Sequence, residues 1–207
     1  THGRDWERYA LIKARPVAGD VAAGHDLLTS LRPFVYRKYL DFGAFESIRT
    51  MKTLIERELN KKSLTGNVKL GRGGIREIEF IVQSHQLIYG GRNSALRTSS
   101  LYDALAALED NGVLAGHDCA MMRRHYDFLR VLEHRLQIMD DAQTHTVPVE
   151  PLARTRIALT MGYPGINAFD TAVESVSDAV HRLFLTVFHQ DRGPAASENN
   201  PLFADIW

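Results

Sequence analysis

The chain has 207 residues, of which 44% are hydrophobic, 24% charged and 9% aromatic. That is the make-up of a globular domain, and it excludes disordered, collagen-like and disulfide-scaffold chains. Lys plus Arg number 25 and Asp plus Glu number 25, so the formal net charge is zero. Nucleic-acid binders ordinarily carry a basic excess, because neutralising phosphates supplies most of their non-specific affinity; no nucleic-acid partner is expected. No run approaches the ~18 consecutive apolar residues of a membrane span, so no membrane partner is expected either. The single Cys119 can form neither an internal bridge nor a thiolate zinc site by itself, which suits a reducing cytoplasm. The chain opens at Thr1 without an initiator Met and without a signal-peptide pattern, and it reads as a piece of a longer protein.

Helical periodicity dominates from end to end. Asp5 to Arg15 predicts a helix with Trp6, Tyr9, Ala10 and Lys13 along one side, stopped at Pro16. Residues 22–31 predict a second. Pro33 suits the first turn of a third, running through Phe34, Leu40 and Ile48 to about Leu59. A turn at 63–67 is the best internal boundary. Val68-Lys69-Leu70 then leads into a glycine loop, Gly71-Arg72-Gly73-Gly74, and a helix from Ile75 to about Tyr89 closed by Gly90-Gly91. Ser99 or Ser100 can cap a helix reaching Asn111-Gly112. A long helix spans roughly Gly116 to Asp140, with Met121, Phe128, Leu132, Leu136 and Met139 as its apolar stripe and Leu129 beside it. Residues 150–161 and 167–190 predict two more helices. The expected architecture is all-α, a bundle of about seven to eight helices without a substantial sheet. Its expected organisation is 1–66 as closing helices of, or a linker from, a preceding domain, 67–191 as the bundle, and 192–207 as a loosely held tail.

The stretch from Lys69 to Phe80 carries the most information. At 100° per residue Arg76, Glu79, Gln83 and Gln86 fall in one strip, bordered by Ile75, Ile78 and Val82 on one side and by Phe80 and Leu87 on the other. A polar line between two apolar borders should be partly buried, and buried charges must be paired; Arg76 and Glu79 stand at i, i+3. Two readings stay open. Glycines before a helix let the backbone approach an anion, and Lys69, Arg72 and Arg76 add charge to the helix N-terminus. The same residues also make a tight turn followed by a core helix with an internal ion pair. No Walker pattern closes the loop.

Other constellations read as ordinary structure. His25-Asp26 and His117-Asp118 sit at loop-to-helix joints, where Asp is a common cap. Asp140, Asp141 and His145 lie at a helix end before Pro148 and suit a turn. Arg123-Arg124, Lys61-Lys62 and Arg154 with Arg156 read as solvated faces. Cys119 reads as a small apolar filler.

Four separated segments, in order, resemble the bacterial bifunctional glutamine synthetase adenylyltransferase/adenylyl-removing family: Gly3 to Arg15 (GRDWERYALIKAR), Leu31 to Phe42 (LRPFVYRKYLDF), Lys69 to Phe80 (KLGRGGIREIEF), and Leu132 to Gln137 with Asp141 to His145. The resemblance covers about residues 3–165. It implies two homologous halves, each a nucleotidyltransferase domain followed by a helical domain. Arg76 to Phe80 and Gln143 to His145 look more like the N-terminal, adenylyl-removing half. Such an enzyme needs a Gly-Ser turn, an Asp-x-Asp pair and a third carboxylate to hold two metal ions, and no Asp-x-Asp occurs here. The resemblance therefore implies a helical domain behind the catalytic one, inactive alone and binding no cofactor itself. In the parent it implies Mg2+ and ATP or ADP, glutamine synthetase as substrate, PII signalling protein as regulator, and the nucleotidyltransferase domain as a partner in cis. Lys69, Gly71, Arg72, Gly73, Gly74, Arg76, Glu77 and Glu79 are the expected border of a nucleotide or phosphate cleft, or a lock between domains. Catalytic residues and metal ligands are expected elsewhere. The alternatives are a helical interaction module for glutamine synthetase or PII, and the equivalent region of a PII uridylyltransferase.

Overall fold

The computed structural model describes residues 5–37, 50–53, 55, 57, 64–140 and 143–189. Its α-helices among these residues are α1 (Asp5–Ile12), α2 (Val21–Val35), α3 (Ile75–Tyr89), α4 (Leu101–Asp110), α5 (Gly116–Asp140), α6 (Pro151–Thr160) and α7 (Ile166–His189), with a 3-10 turn at Ser94–Leu96. The only β-type pairing among the described residues is an isolated antiparallel bridge between Asn67 and Thr146. The all-α expectation therefore holds. The segment 192–207 and most of the expected helix through Leu40 and Ile48 lie outside the described residues, although residues 50–53 are helical.

The chain forms two compact units, each discontinuous in sequence: Thr1–Lys61 with Glu79–Leu108, and Lys62–Ile78 with Glu109–Trp207. The single helix α3 contributes its first turn to the second unit and the rest to the first.

In the first unit α1 buries Arg8, Tyr9 and Ile12, while Trp6 stays 53% exposed. The expected face of α1 is thus turned away from Trp6, because a charge is drawn inward. Arg8 donates from Nε (3.2 Å) and Nη2 (3.0 Å) to the carbonyl of Val35, the last residue of α2. End carbonyls of a helix lack internal partners, and a cation there also meets the negative end of the helix dipole. Tyr9 stacks on Phe80 (5.6 Å between centroids, 10° between planes) and pairs its hydroxyl with Ser84 Oγ at 3.3 Å. Asp20 caps α2 by accepting from the Ala23 N–H at 2.9 Å. Pro33 does not open a new helix: α2 runs through it to Val35. Its place in the closing turn confines the damage to a single missing donor.

In the second unit α5, α6 and α7 pack against one another. Their buried residues include Cys119, Met122, Leu129, Leu132 and Leu136 of α5, Ile157 and Ala158 of α6, and Phe169, Val180 and Phe184 of α7. Met121 and Phe128 are only half-buried, so the inward stripe is displaced from the expected one toward Met122 and Leu129. The displacement puts Glu133 inside, 2% exposed. Burial raises the Cys119 thiol to about 11, with Glu109 adding to the rise; a neutral thiol is a small apolar filler. Arg154 and Arg123 are not merely solvated. Arg154 holds Asp170 (Nη2–Oδ1 2.8 Å) and the Pro148 carbonyl (2.9 Å), and Arg123 holds Glu109 at 2.9 Å.

Candidate functional site

The glycine loop is built from its own hydrogen bonds. Asn67 Oδ1 accepts from the N–H groups of Lys69 (3.1 Å) and Leu70 (2.8 Å), which folds the chain back on itself. The Gly71 N–H then reaches the Asn67 carbonyl at 2.8 Å. At the start of α3 the donors are already taken: Gly74, Ile75, Arg76 and Glu77 bond the carbonyls of Gly71, Val68, Lys69 and Gly74 at 3.0–3.1 Å. The Gly73 N–H points at the Glu77 carboxylate. A helix N-terminus attracts anions through unpaired N–H groups. Here those groups are engaged, and the anion at the loop is the protein's own Glu77.

The glycines serve close approach. Gly73 has φ +66, and a Cβ on it would strike the backbone of Ser177 in α7. A Cβ on Gly71 would strike the Asn67 carbonyl, and one on Gly74 would lie 2.7 Å from the Val68 carbonyl. Ser177 Oγ donates to the Arg72 carbonyl at 2.7 Å, and Arg72 Nη1 meets Asp178 Oδ1 at 2.6 Å. The hydrogen bond and the positive charge of Arg72 hold the Asp178 carboxyl below its usual range. Loop and α7 are thus joined through Arg72 and Gly73, by side chain and backbone together.

Two buried carboxylates lie under this joint. Glu77 is wholly buried and takes His181 Nδ1 of α7 at 3.1 and 3.2 Å from its two oxygens. Desolvation pushes its carboxyl up; His181, the Gly73 N–H and Arg72 each pull it back in part. Glu133 of α5 gathers three nitrogen groups: Lys69 Nζ at 3.4 Å, Arg130 Nη1 at 2.5 Å and His145 Nδ1 at 3.1 Å. Gln137 Nε2 stands 3.5 Å from the same His145 nitrogen. The neighbouring backbone locks this arrangement, with Val68 N–H on the His145 carbonyl (2.8 Å) and Val147 N–H on the Gly66 carbonyl (3.0 Å).

Of the residues expected to act together, Lys69, Gly71, Arg72, Gly73, Gly74, Arg76 and Glu77 belong to the second unit, and Glu79 lies further along α3 in the first. Arg76 donates from Nη2 to the Leu70 carbonyl at 2.9 Å, which ties the helix back to its own loop. Arg76, Glu79 and Gln83 form a half-buried line on a helix whose other half-buried residues, Ile88 and Tyr89, lie at its C-terminal end. Gln86, the fourth member of the strip, is 2% exposed and donates to the carbonyls of Leu96 (2.7 Å) and Thr98 (2.8 Å). Sequence reading missed Ser177, Asp178 and His181, and it left His145 in a turn. The sequence holds nine His residues, and nothing in their spacing singles out the one that meets Glu77. The useful signal was Glu77 itself, an acid set among apolar neighbours that required a donor from elsewhere.

A family model described as GlnD PII-uridylyltransferase matches residues 49–188. The chain also resembles curated proteins named bifunctional glutamine synthetase adenylyltransferase/adenylyl-removing enzyme. One from Hahella chejuensis is 51% identical over 92% of this chain and 20% of that protein. Another, from Pseudomonas syringae pv. tomato, is 53% identical over 81% of this chain and 17% of that protein. A third, from Stenotrophomonas maltophilia (strain K279a), is 48% identical over 99% of this chain and 22% of that protein. The chain spans about a fifth of the length of these relatives. With the family model covering most of its length and such relatives aligned along nearly all of it, this chain belongs to the family of nucleotidyltransferase proteins that the model describes, alongside the bifunctional glutamine synthetase adenylyltransferase/adenylyl-removing enzymes.

Proposed function

We propose that this chain is a helical part of an enzyme that reversibly adenylylates glutamine synthetase, drawn from the half that removes AMP by phosphorolysis. The 51% identity over 92% of the chain to an enzyme of that name carries the reading. The Arg76 to Phe80 and Gln143 to His145 segments favour the adenylyl-removing half. Glutamine synthetase is the substrate of the whole protein in this reading, PII its regulator, and a nucleotidyltransferase domain in cis its catalytic partner. Mg2+ and ATP or ADP serve that domain. Among the described residues no group of three His, Cys, Asp or Glu side chains is placed to hold a metal ion. In this reading the chain carries no chemical step of its own and acts by placing its neighbour.

Lys69, Gly71, Arg72, Gly73, Gly74, Arg76, Glu77 and Glu79 act in this proposal as a rigid border rather than as reacting groups. The hydrogen-bonded loop and the Gly73–Ser177 approach favour rigidity, because engaged N–H groups leave little to offer a free anion. No helix of the described residues is long and apolar enough to cross a membrane; the cytoplasm is the compartment proposed for this work.

The test uses the full-length protein with purified glutamine synthetase. ATP-dependent addition of AMP and phosphate-dependent removal are measured for the wild type and for Arg76→Ala. Removal should fall sharply while addition stays nearly intact. Unchanged removal in a folded Arg76→Ala protein would reduce the motif to a structural turn. The family model favours a second reading, transfer of UMP to PII; UMP incorporation into PII without AMP turnover on glutamine synthetase would select it.

A further inference from the structure

In the second unit, α6 turns an apolar strip to the outside. Leu152 and Leu159 are 59% and 58% exposed, and Val149, just before the helix, is 90% exposed. At 100° per residue Leu152, Arg156 and Leu159 fall within about 60° of one another, opposite the buried Ile157 and Ala158. Exposed apolar residues scattered singly are normal, but a row of them on one strip marks a contact surface. Arg156 stands exposed between the two leucines and is in no ion pair among the described residues. The acid before it, Glu150, spends its two carboxylate oxygens on the Leu152 (2.9 Å) and Ala153 (2.6 Å) N–H groups. The other arginine of α6, Arg154, is by contrast held by Asp170 of α7 at 2.8 Å.

The strip calls for an apolar partner with one acidic group in its middle. Residues 201–207 of this chain have that make-up: Leu202, Phe203, Ala204, Ile206 and Trp207 surround Asp205, the one charged side chain among them. They lie outside the described residues. Residues 190–200, which join them to α7, are long enough to bring them back. Because Arg154 meets α7 at Asp170, the distance to be covered is at most the stretch of helix from Asp170 to His189, about 28 Å. Residues 190–200, fully extended, span up to about 36 Å. A short tether also raises the effective concentration to the millimolar range, so a contact of a few side chains suffices. A second copy of the chain fits less well. Two-fold pairing of the strip with itself brings Arg156 toward its own counterpart, and like charges oppose that contact.

We propose that residues 201–207 fold back onto the α6 strip of their own chain, with Asp205 on Arg156 and the apolar side chains over Leu152 and Leu159. The contact is internal to this chain and does not rest on the function proposed above. The complete 207-residue chain carries two tryptophans, so Trp6→Phe leaves Trp207 as the sole reporter. Its emission should lie to the blue of free tryptophan, and acrylamide should quench it poorly at every protein concentration. Arg156→Glu should raise the quenching severalfold, and adding Asp205→Arg should restore the protection, because the swapped charges rebuild the pair. Leu159→Asp on the strip and Phe203→Asp on the segment should each expose Trp207, while the helical circular dichroism stays that of the Trp6→Phe chain. Protection that appears only as concentration rises would give the strip to a second copy and overturn the proposal. A Trp207 quenched like free tryptophan in the Trp6→Phe chain would overturn it too, as would protection that neither Arg156→Glu nor Leu159→Asp changes. Failure of the charge swap to restore protection lost in Arg156→Glu would also overturn it.

Discussion

Gly73 lies so close to Ser177 that a Cβ on the glycine would overlap the Ser177 carbonyl, although the two residues come from different ends of the second unit's sequence. The backbone at Gly73 is also left-handed, with φ +66. Gly112 has nearly the same φ, +65, but nothing within 4 Å of its Cβ position. The two glycines therefore separate backbone strain from steric overlap. Gly112→Ala should cost about 1 kcal/mol, the strain of a left-handed alanine. Gly73→Ala should cost about 2–5 kcal/mol, because overpacking adds to the strain. Chemical denaturation of both variants checks the difference, and equal losses would remove the overlap as a cause.

Glu133 is the common partner of Lys69, Arg130 and His145. Removing a buried partner from charged groups can cost roughly 3–5 kcal/mol when all remain desolvated. Lys69 and Arg130 are 40% and 36% exposed, so water compensates them in part. Glu133→Ala should thus destabilise the chain by about 2–3 kcal/mol. Lys69→Ala should cost less than about 1 kcal/mol, in the range of exposed pairs. Urea denaturation of both variants would expose an inverted order, which would mean that the carboxylate is not the hub.

Burial raises the Glu77 carboxyl, so the folded protein holds that proton more tightly than the unfolded chain does. The contribution is fully present below the ordinary Glu range and is lost as pH rises through the raised folded value. Glu77→Gln abolishes the titration while keeping the shape. The stability of wild type relative to Glu77→Gln should therefore fall as pH rises from about 4 toward neutrality. Parallel melts at several pH values measure the difference; a constant gap would show that His181, Gly73 and Arg72 cancel the burial in full.

His85 in the first unit runs the opposite way. It is 2% exposed, and its Nδ1–H donates to the Ile81 carbonyl at 2.7 Å, while its Nε2 is buried without a hydrogen-bond partner among the described residues. Burial lowers its folded pKa below the ordinary histidine value. Stability from the neutral ring is present above the unfolded pKa and is lost as pH falls through the folded one. Acid should loosen the wild type more than His85→Asn, which can keep one hydrogen bond without charging. Imidazole chemical shifts followed by NMR would settle the direction, since titration at or above the free value contradicts it.

Helix ends were legible in the sequence because their causes are local. Ile75–Tyr89 and Gly116–Asp140 fall where glycine stops and apolar spacing put them, and Ser100 caps α4 by accepting from the Asp103 N–H at 3.2 Å. The half-buried line Arg76, Glu79 and Gln83 was legible for the same reason, since helical period alone sets which residues share a face. The Pro33 boundary was misread because one lost hydrogen bond in a closing turn does not stop a helix that is already formed. The stripe of α5 is displaced from the expected one because an apolar count weighs only apolar residues, whereas Glu133 is itself buried against Lys69, Arg130 and His145.

The sequence by itself determined the all-α class, the helix limits from Ile75 onward and the family resemblance, all of which rest on short-range patterns. Only the tertiary structure decided what the glycine loop does. The Glu77–His181 pair spans 104 positions and the Arg72–Asp178 pair 106, and no local rule ranks such partners. A glycine permits an anion or a backbone to come near, and composition cannot say which. The Ser177 backbone occupies the space beside Gly73 and the Glu77 carboxylate takes its N–H, so steric room and hydrogen-bond satisfaction made the choice.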